Sequence, residues 1–309
     1  MIDQGTEQPK EIGLTERPKI EVSSKVTASP EHPEYTADRA AAIVLAGGKS
    51  GLIAAIDGTG EGGRASGTSA EYVLEEINRI STKIVEKPLI NSAVKILGDA
   101  IIESSKRIKQ QQAMHSDQKH LPDTTISAGI ICRSINGDRQ FLLTANLGDS
   151  RVYLYRPKEG AVVRLTKDNT MVQALVDNGI LTEEEAFLDE RRNYVFKTVG
   201  SIPTEEIKPG ILEDYRKHMN FATHEIEEGD IYFAVSDGIS DNLTPQGLPI
   251  AAQDEFRKAY DAASKSPNLK RFAAGLSQRA QNVMTTKAEH AKPDDTSLAV
   301  LRVPRAGSV

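Results

Sequence analysis

The sequence has a single cysteine, Cys132, so no disulfide can form within the chain, and we expect a buried thiol in a reducing cytoplasm. No apolar run approaches the length of a membrane span, and the polar N-terminus has no apolar signal-peptide core. The chain also lacks a basic stripe interleaved with aromatic residues, and its formal net charge is −6. We therefore expect a cytoplasmic protein that binds neither a membrane nor nucleic acid.

Three familiar kinds of site are absent as well. The chain has no Gly-x-Ser-x-Gly elbow of a serine hydrolase, and its six histidines lack the spacing of a metalloprotease site. Gly47-Gly48-Lys49-Ser50 resembles the end of a phosphate-binding P-loop, but the first glycine of that motif would fall at Ile43, inside a predicted strand. These three interpretations are therefore rejected.

The order of the predicted elements indicates the fold class. Residues 1–30 are rich in Glu, Lys, Pro, Ser and Thr without periodicity, which predicts a disordered tail before one domain over residues 31–309. In that domain, strands and helices come in separate blocks rather than in βαβ alternation, which predicts an α+β fold with antiparallel sheets and helices packed outside. The first helix is predicted to open at the capping-box sequence Thr68-Ser69-Ala70-Glu71.

Two β-hairpins are predicted, because glycine-containing turns at Gly47-Gly48 and at Gly137 each separate two β-prone runs. In an antiparallel hairpin, the residue before the first strand lies beside the residue after the second. A further antiparallel pair is expected between the strand before Ser236 and the last strand of the chain. The polar residues that these pairings bring to the strand ends are Asp38 with Asp57, Thr125 with Asp149, and Asp237 with Asp294.

If these strand ends share one edge of the fold, they form a cluster of carboxylates. Like charges a few ångströms apart repel and raise one another's pKa, so such a cluster is costly without cations. Carboxylate oxygens suit Mg²⁺ or Mn²⁺, and two such ions about 3.5–4 Å apart can activate a water and hold a phosphoryl group. Gly58, which has no side chain, could add its backbone carbonyl as a ligand.

Each part of this pattern has a purely structural alternative. Asp57-Gly58 and Asp237-Gly238 are sequences that commonly form turns. Asp149 could form only a salt bridge with Arg151 at a strand end. The prediction of a metal site therefore depends on the joint pattern and not on any single pair.

Five segments, in this order, resemble motifs of the PPM-type (type 2C) metal-dependent protein serine/threonine phosphatases: IAAIDGTGEGG, DTTISAGII, NLGDSRVYLY, YFAVSDGISDNLT and PDDTSLAVLRV. The resemblance covers about residues 31–303. It implies a four-layer α-β-β-α sandwich of two antiparallel sheets flanked by helix pairs. It also implies hydrolysis of phosphoserine or phosphothreonine in a phosphorylated protein by a water that bridges two metal ions, with no side-chain nucleophile.

The resemblance also assigns roles to individual residues. The implied ligands of two Mn²⁺ or Mg²⁺ ions are the bridging Asp57, the carbonyl of Gly58, Asp237 and Asp294, with Asp149 at a looser third ion. In the shell around these ligands, Asp38 would hold a metal-bound water and Thr125 would form a hydrogen bond.

The sequence departs from the family pattern at three positions near the metal ligands. The phosphate-binding Arg before Asp38 is absent, the acidic residue of that motif is Ala37, and the His after the Asp-Gly pair is Thr59. Two hypotheses therefore remain: a working metal-dependent phosphatase, and an inactive pseudophosphatase that serves as a metal-stabilised binding module. Arg191-Arg192, in a segment that would overhang the site, is either a contact for an acidic phosphosubstrate or a solvated basic pair.

Overall fold

Two five-stranded antiparallel sheets form the centre of the protein. The structure, a computed structural model, describes residues 19–60, 63–114, 120–261, 266–286, 288 and 290–305. Its strands are β1 (Glu21–Thr27), β2 (Arg39–Leu45), β3 (Ser50–Ile56), β4 (Gly58–Thr59), β5 (Asp123–Thr124), β6 (Ile126–Arg133), β7 (Gln140–Leu147), β8 (Arg151–Arg156), β9 (Ala161–Arg164), β10 (Asn220–Glu225), β11 (Ile231–Val235), β12 (Tyr260–Asp261), β13 (Ser266–Pro267) and β14 (Thr296–Arg302). The first sheet has the order β1-β14-β11-β8-β9 and the second β10-β7-β6-β3-β2, while β4–β5 and β12–β13 are separate short pairs.

The described residues form eight α-helices, and two of them cover the outer face of each sheet. The eight helices are α1 (Arg64–Ser81), α2 (Ile90–Met114), α3 (Met171–Asp177), α4 (Glu183–Leu188), α5 (Leu212–His218), α6 (Asp237–Ser240), α7 (Gly247–Ala259) and α8 (Leu269–Met284). One apolar core lies between the second sheet and α1 and α2, another lies between the first sheet and α7 and α8, and a third lies between the sheets. The predicted α-β-β-α sandwich is confirmed. None of the described helices combines the length and the apolar character that crossing a bilayer requires.

Strand β3 shows how the sequence produces these layers. All seven of its residues are buried, because its sheet is covered on both faces. Leu52, Ala54 and Ile56 belong to the core under the helices, whereas Ile53 and Ala55 belong to the core between the sheets. The side chains alternate between faces as the strand period requires, so β3 is fixed in the middle of the molecule and its C-terminal end is held in one place.

The strand registers test the predicted pairings of polar residues. Arg39 pairs with Ile56 in β2–β3, so Asp38 and Asp57 lie beside each other as predicted. In β6–β7, Ile126 pairs with Leu147, which places Thr125 opposite Gly148 and shifts that predicted pairing by one residue. Strands β11 and β14 are antiparallel neighbours, as expected.

The prediction of a disordered tail over residues 1–30 is wrong for part of that range. Strand β1 pairs along its whole length with β14 and forms an edge of the first sheet. The polar composition concealed the strand because an edge strand buries only one face, here through Ile20 and Val22 in the core between the sheets. Residues 1–18 lie outside the described residues.

The predicted start of the first helix is also wrong. Helix α1 begins at Arg64, so the capping-box sequence lies inside it, and the Thr68 hydroxyl donates to the Arg64 carbonyl at 3.0 Å. Glu71 does not return to a helix N-terminus but forms an ion pair with Arg39 of β2. Local spacing alone could not show that the chain enters the helix four residues earlier.

Candidate metal centre

Five aspartates meet at one end of the sandwich, each within two residues of a strand end. Asp57, Asp149 and Asp237 follow β3, β7 and β11, whereas Asp38 and Asp294 precede β2 and β14. Carboxylate oxygens of Asp57, Asp149 and Asp237 all lie within 4.8 Å of one another. The convergence that the sequence predicted is therefore present, and it brings Asp149 as close to the centre as Asp57 and Asp237, two of the predicted primary ligands.

Backbone contacts hold Asp57 in position. Its carbonyl accepts hydrogen bonds from the Thr125 amide at 2.8 Å and from the Thr124 hydroxyl at 2.7 Å. A Cβ atom on Gly58 would lie 2.7 Å from the Ser66 carbonyl oxygen and 2.8 Å from that of Ala37. Glycine is thus required at position 58 by close packing of three backbone segments, which argues against a mere turn sequence.

The second Asp-Gly pair is positioned in a similar way. Asp237 is the first residue of α6, and its carbonyl accepts from the Asp241 amide at 2.7 Å. A Cβ atom on Gly238 would lie 1.8 Å from the carbonyl oxygen of Asp295, so no other residue fits there. The close approach of α6 to the segment before β14 therefore depends on Gly238.

Asp295 is a supporting residue that the sequence reasoning missed. Its buried carboxylate accepts from the Ser29 amide at 2.7 Å and from the Ala37 amide at 2.6 Å. These bonds tie the segment that leads into Asp38 to the start of β14. The Asp294-Asp295 doublet was the available signal, because one acid at a strand end can serve the centre while its neighbour holds the backbone.

The carboxylates at the centre raise one another's pKa. Burial and then repulsion from Asp237 raise the pKa of both Asp57 and Asp149 well above the usual range. Burial and repulsion from Asp294 raise the pKa of Asp38 to about 8. Burial and Asp237 raise the pKa of Asp294 to about 6. The centre thus contains more negative charge than its protein surroundings neutralise.

Unpaired oxygens at the centre show that it fits a cation. Asp38 Oδ2 and Asp149 Oδ1 are buried and have no hydrogen-bond partner among the described residues. Buried carboxylate oxygens are normally paired, and those that are not indicate an ion or a functional role. Clustered carboxylate oxygens of this kind are the ligands that Mg²⁺ and Mn²⁺ prefer.

Arg151 does not form the salt bridge that was the structural alternative for Asp149. Its guanidinium pairs with Asp168, with Nη2 and Oδ2 separated by 2.7 Å. The Thr125 hydroxyl lies 2.9 Å from that of Ser150, the residue after Asp149. Asp149 therefore faces the centre without an arginine partner, and Asp168 is a residue that sequence reasoning missed.

Lys292 is the most important residue that the sequence did not reveal. Its Nζ forms ion pairs with Asp237 and with Asp294, the second at 2.9 Å. Burial would lower the pKa of Lys292, but attraction from Asp237, Asp294 and Asp241 outweighs burial and raises the pKa well above its ordinary value. Only its position two residues before Asp294 could have drawn attention to it.

The two arginines of the predicted overhanging pair behave differently. Arg191 is exposed and pairs with Asp189, which agrees with a solvated side chain. Arg192 Nε lies 3.9 Å from Asp241, its Nη1 donates to the Phe187 carbonyl at 3.1 Å, and its guanidinium lies over the Phe187 ring. These contacts favour a structural role for Arg192, which attaches the α4 segment to the edge of the centre.

Comparison with known families and relatives agrees with this geometry. The family model described as Protein phosphatase 2C matches residues 54–174. The Serine/threonine protein phosphatase PstP of Mycobacterium tuberculosis is 30% identical over 202 residues, which are 65% of this chain and 34% of the relative. The chain thus spans about a third of the length of that relative.

Solved structures show the same fold. A crystal structure of the Mycobacterium tuberculosis phosphatase PstP/Ppp has a TM-score of 0.68 and 22% identity, covering 93% of this chain and 100% of the other. A structure of the catalytic domain of PstP in complex with two manganese ions has a TM-score of 0.65 and 21% identity, covering 93% of this chain and 99% of the other. At these identities the likeness establishes the architecture.

Proposed function

We propose that this chain, a divergent member of the PPM-type (type 2C) protein phosphatase family, hydrolyses phosphoserine or phosphothreonine in a protein substrate with the help of Mn²⁺ or Mg²⁺. The observation that carries the proposal is the convergence of Asp57, Asp149 and Asp237, whose oxygens lie within 4.8 Å of one another. The structure of a relative with two manganese ions supports a metal-dependent reaction.

The residues at the centre would have different roles, since some would bind the ions and one would bind a water molecule. Asp57, the Gly58 carbonyl, Asp237 and Asp294 would hold two ions, and Asp149 would contribute to a third. When bound, the ions would lower the pKa of a water molecule and neutralise charge on the phosphoryl oxygens. Asp38 is buried beside Asp57 and has an unpaired oxygen, so it would accept a hydrogen bond from water at the centre.

We propose the cytoplasm as the location and a phosphorylated protein as the partner. The only cysteine, Cys132, is fully buried, and burial raises the pKa of its thiol to about 12, which suits a protein that keeps a free thiol. One relative is named as a serine/threonine protein phosphatase and another as a protein phosphatase, and these names support a phosphoprotein as the substrate class.

A specific observation favours the second hypothesis, a binding module without turnover. Lys292 contacts both Asp237 and Asp294, and the family's acidic residue and histidine are replaced by Ala37 and Thr59. Each of these differences would weaken catalysis without removing the aspartates. A protein of this kind would still gain stability from bound ions.

Hydrolysis of p-nitrophenyl phosphate and of a phosphothreonine peptide distinguishes the two functions. Wild type, Asp237→Asn and Asp138→Asn are assayed with Mn²⁺, Mg²⁺ or EDTA. Asp138 is the matched control, since it is an exposed aspartate in the turn at the far end of the β6–β7 hairpin. We expect turnover that requires Mn²⁺ or Mg²⁺, is lost in Asp237→Asn and is kept in Asp138→Asn. No turnover in the wild type, with a metal-dependent rise in melting temperature, would instead establish the binding module.

A further inference from the structure

Lys292 brings a positive charge of the protein itself into the metal centre. Its Nζ contacts Asp237 and lies 2.9 Å from Asp294 Oδ2, and its side chain is only 24% exposed. A lysine is an ammonium ion at neutral pH. Asp237 and Asp294 are two of the ligands proposed for a divalent ion, so the ammonium and that ion need the same oxygens.

The backbone of Lys292 is held so that the side chain reaches this position. The side chain of Asn242, which is 1% exposed, donates to the Lys292 carbonyl at 2.9 Å and accepts from the Lys292 amide at 3.0 Å. The same Asn242 nitrogen donates to the Gly238 carbonyl at 2.9 Å, one residue after Asp237. Pro293 follows, and its ring fixes the backbone φ angle. The placement of Lys292 is therefore part of the fold.

The ammonium divides the predicted ligand set into two parts. Among the described residues, the carboxylates that could jointly hold an ion are Asp57, Asp149 and Asp237, and Asp294 is not in that group. Asp294 instead has one oxygen on Lys292 and the other on the Asp295 amide at 2.9 Å. The carboxylates of Asp57, Asp149 and Asp237 are placed to hold a metal ion together. The carboxylate of Asp294 is instead paired with the ammonium of Lys292.

We propose that Lys292 is a resident cation that competes with one divalent ion for the Asp237 and Asp294 carboxylates. This inference rests on the proposed metal-dependent function. The flexible four-carbon stem of lysine lets the ammonium withdraw when a doubly charged ion arrives, while its backbone stays attached to Asn242. The ion held by Asp237 and Asp294 then binds more weakly than it would without the lysine. In return, the ammonium reduces repulsion between the carboxylates while no ion is bound.

Calorimetric titration with Mn²⁺ tests this competition on the full chain. Lys292→Met keeps most of the length of the side chain and removes the charge, and Lys158→Met is the matched control. Lys158 is exposed and pairs with Glu227 at 3.6 Å, in the turn between β8 and β9. We expect at least one Mn²⁺ ion to bind about tenfold more tightly to Lys292→Met, because no half-buried ion pair has to be broken first. Lys158→Met should bind Mn²⁺ as the wild type does.

Melting temperature gives a second readout that does not depend on turnover. In EDTA, Lys292→Met should melt below the wild type, and saturating Mn²⁺ should raise its melting temperature by more than it raises that of the wild type. Lys292→Gln removes the charge but keeps a hydrogen-bond donor, and it replaces the methionine variant if that variant does not fold in EDTA.

The outcomes separate this inference from the proposed function. Equal or weaker Mn²⁺ binding in the uncharged variants would overturn the competition and leave the metal centre intact. No Mn²⁺ binding by the wild type or by any variant would overturn the metal centre itself. Tighter binding in Lys292→Met together with unchanged binding in Lys158→Met would establish Lys292 as the competing cation.

Discussion

Two buried aspartates flank the same strand, β11, and have opposite surroundings. Asp230, just before the strand, accepts from Arg156 Nε at 3.2 Å, from the Glu227 amide at 2.9 Å and from the Tyr232 hydroxyl at 3.1 Å. Asp237, just after the strand, faces other carboxylates and has Lys292 as its ionic partner. The two are 1% and 6% exposed, so burial does not distinguish them.

The difference lies in what neighbouring elements bring to each end of the strand. At the Asp230 end, strand β8 supplies the guanidinium of Arg156, and the preceding turn supplies a backbone donor, so the charge is compensated. At the Asp237 end, β3 and β7 supply Asp57 and Asp149 instead. A fully paired buried charge fixes structure, whereas a cluster of like charges reduces stability and is kept where it has a function. The first end therefore serves stability, and the second is the end at which we propose that cations bind.

Among the variants that test this comparison, Asp57→Asn should change turnover and melting temperature the most. It removes the charge of the proposed bridging ligand, so turnover with Mn²⁺ should fall at least about a hundredfold, because even residues behind a ligand contribute about 10- to 100-fold. In EDTA its melting temperature should rise, since burial and four neighbouring aspartates raise the pKa of Asp57 and oppose its charge. A phosphatase assay and a thermal melt measure both, with Asp138→Asn as control. Unchanged turnover would remove the two-metal proposal, and a lower melting temperature would show that the Asp57 charge is stabilising.

The same chemical change at the other end should affect stability instead. Asp230→Asn removes the negative charge nearest to the guanidinium of Arg156, whose other acidic partners among the described residues are Glu159 and Glu227, at 3.6 and 3.5 Å. We expect a loss of about 2 kcal/mol in the free energy of unfolding, measured by urea denaturation. Turnover per folded molecule should stay at the wild-type level. Reduced turnover in the folded variant would mean that the two ends are coupled.

Alkaline pH should give a smaller effect on stability at the Asp230 end. Burial, and next the negative charge of Asp230, raise the pKa of Tyr232 above its usual value, so the phenol stays protonated in the folded chain. Above pH of about 10 the unfolded chain loses this proton and the folded chain keeps it, so stability falls as pH rises.

Urea denaturation in EDTA at neutral pH and at two values above pH of about 10 tests this point. Tyr232→Phe should lose about 1 kcal/mol at neutral pH with its hydrogen bond to Asp230, and should lose less stability than the wild type as pH rises. Tyr194→Phe, at an exposed tyrosine, should follow the wild type. Equal pH dependence of Tyr232→Phe and the wild type would show that another group controls alkaline unfolding.

The parts of the site that the sequence predicted are those that follow from strand geometry. Turn residues at Gly47 and Gly48 fixed the register that places Asp38 beside Asp57. The β6–β7 pairing was displaced by one residue, because the exact register depends on the conformation of its turn. Strand β1 was missed, since an edge strand with one buried face has too few apolar residues for a pattern.

By itself, the sequence determined the antiparallel strand pairs and the aspartates that end their strands, because alternation and turn residues are local and leave few arrangements, and the resemblance to a known family implied the two-sheet sandwich. Only the tertiary structure decided which charge each aspartate meets. Arg151 pairs with Asp168 and not with its neighbour Asp149, and Lys292 reaches Asp237 across 55 positions of the chain. Electrostatic partners are chosen by distance in space after the layers have packed, and no local pattern encodes that distance.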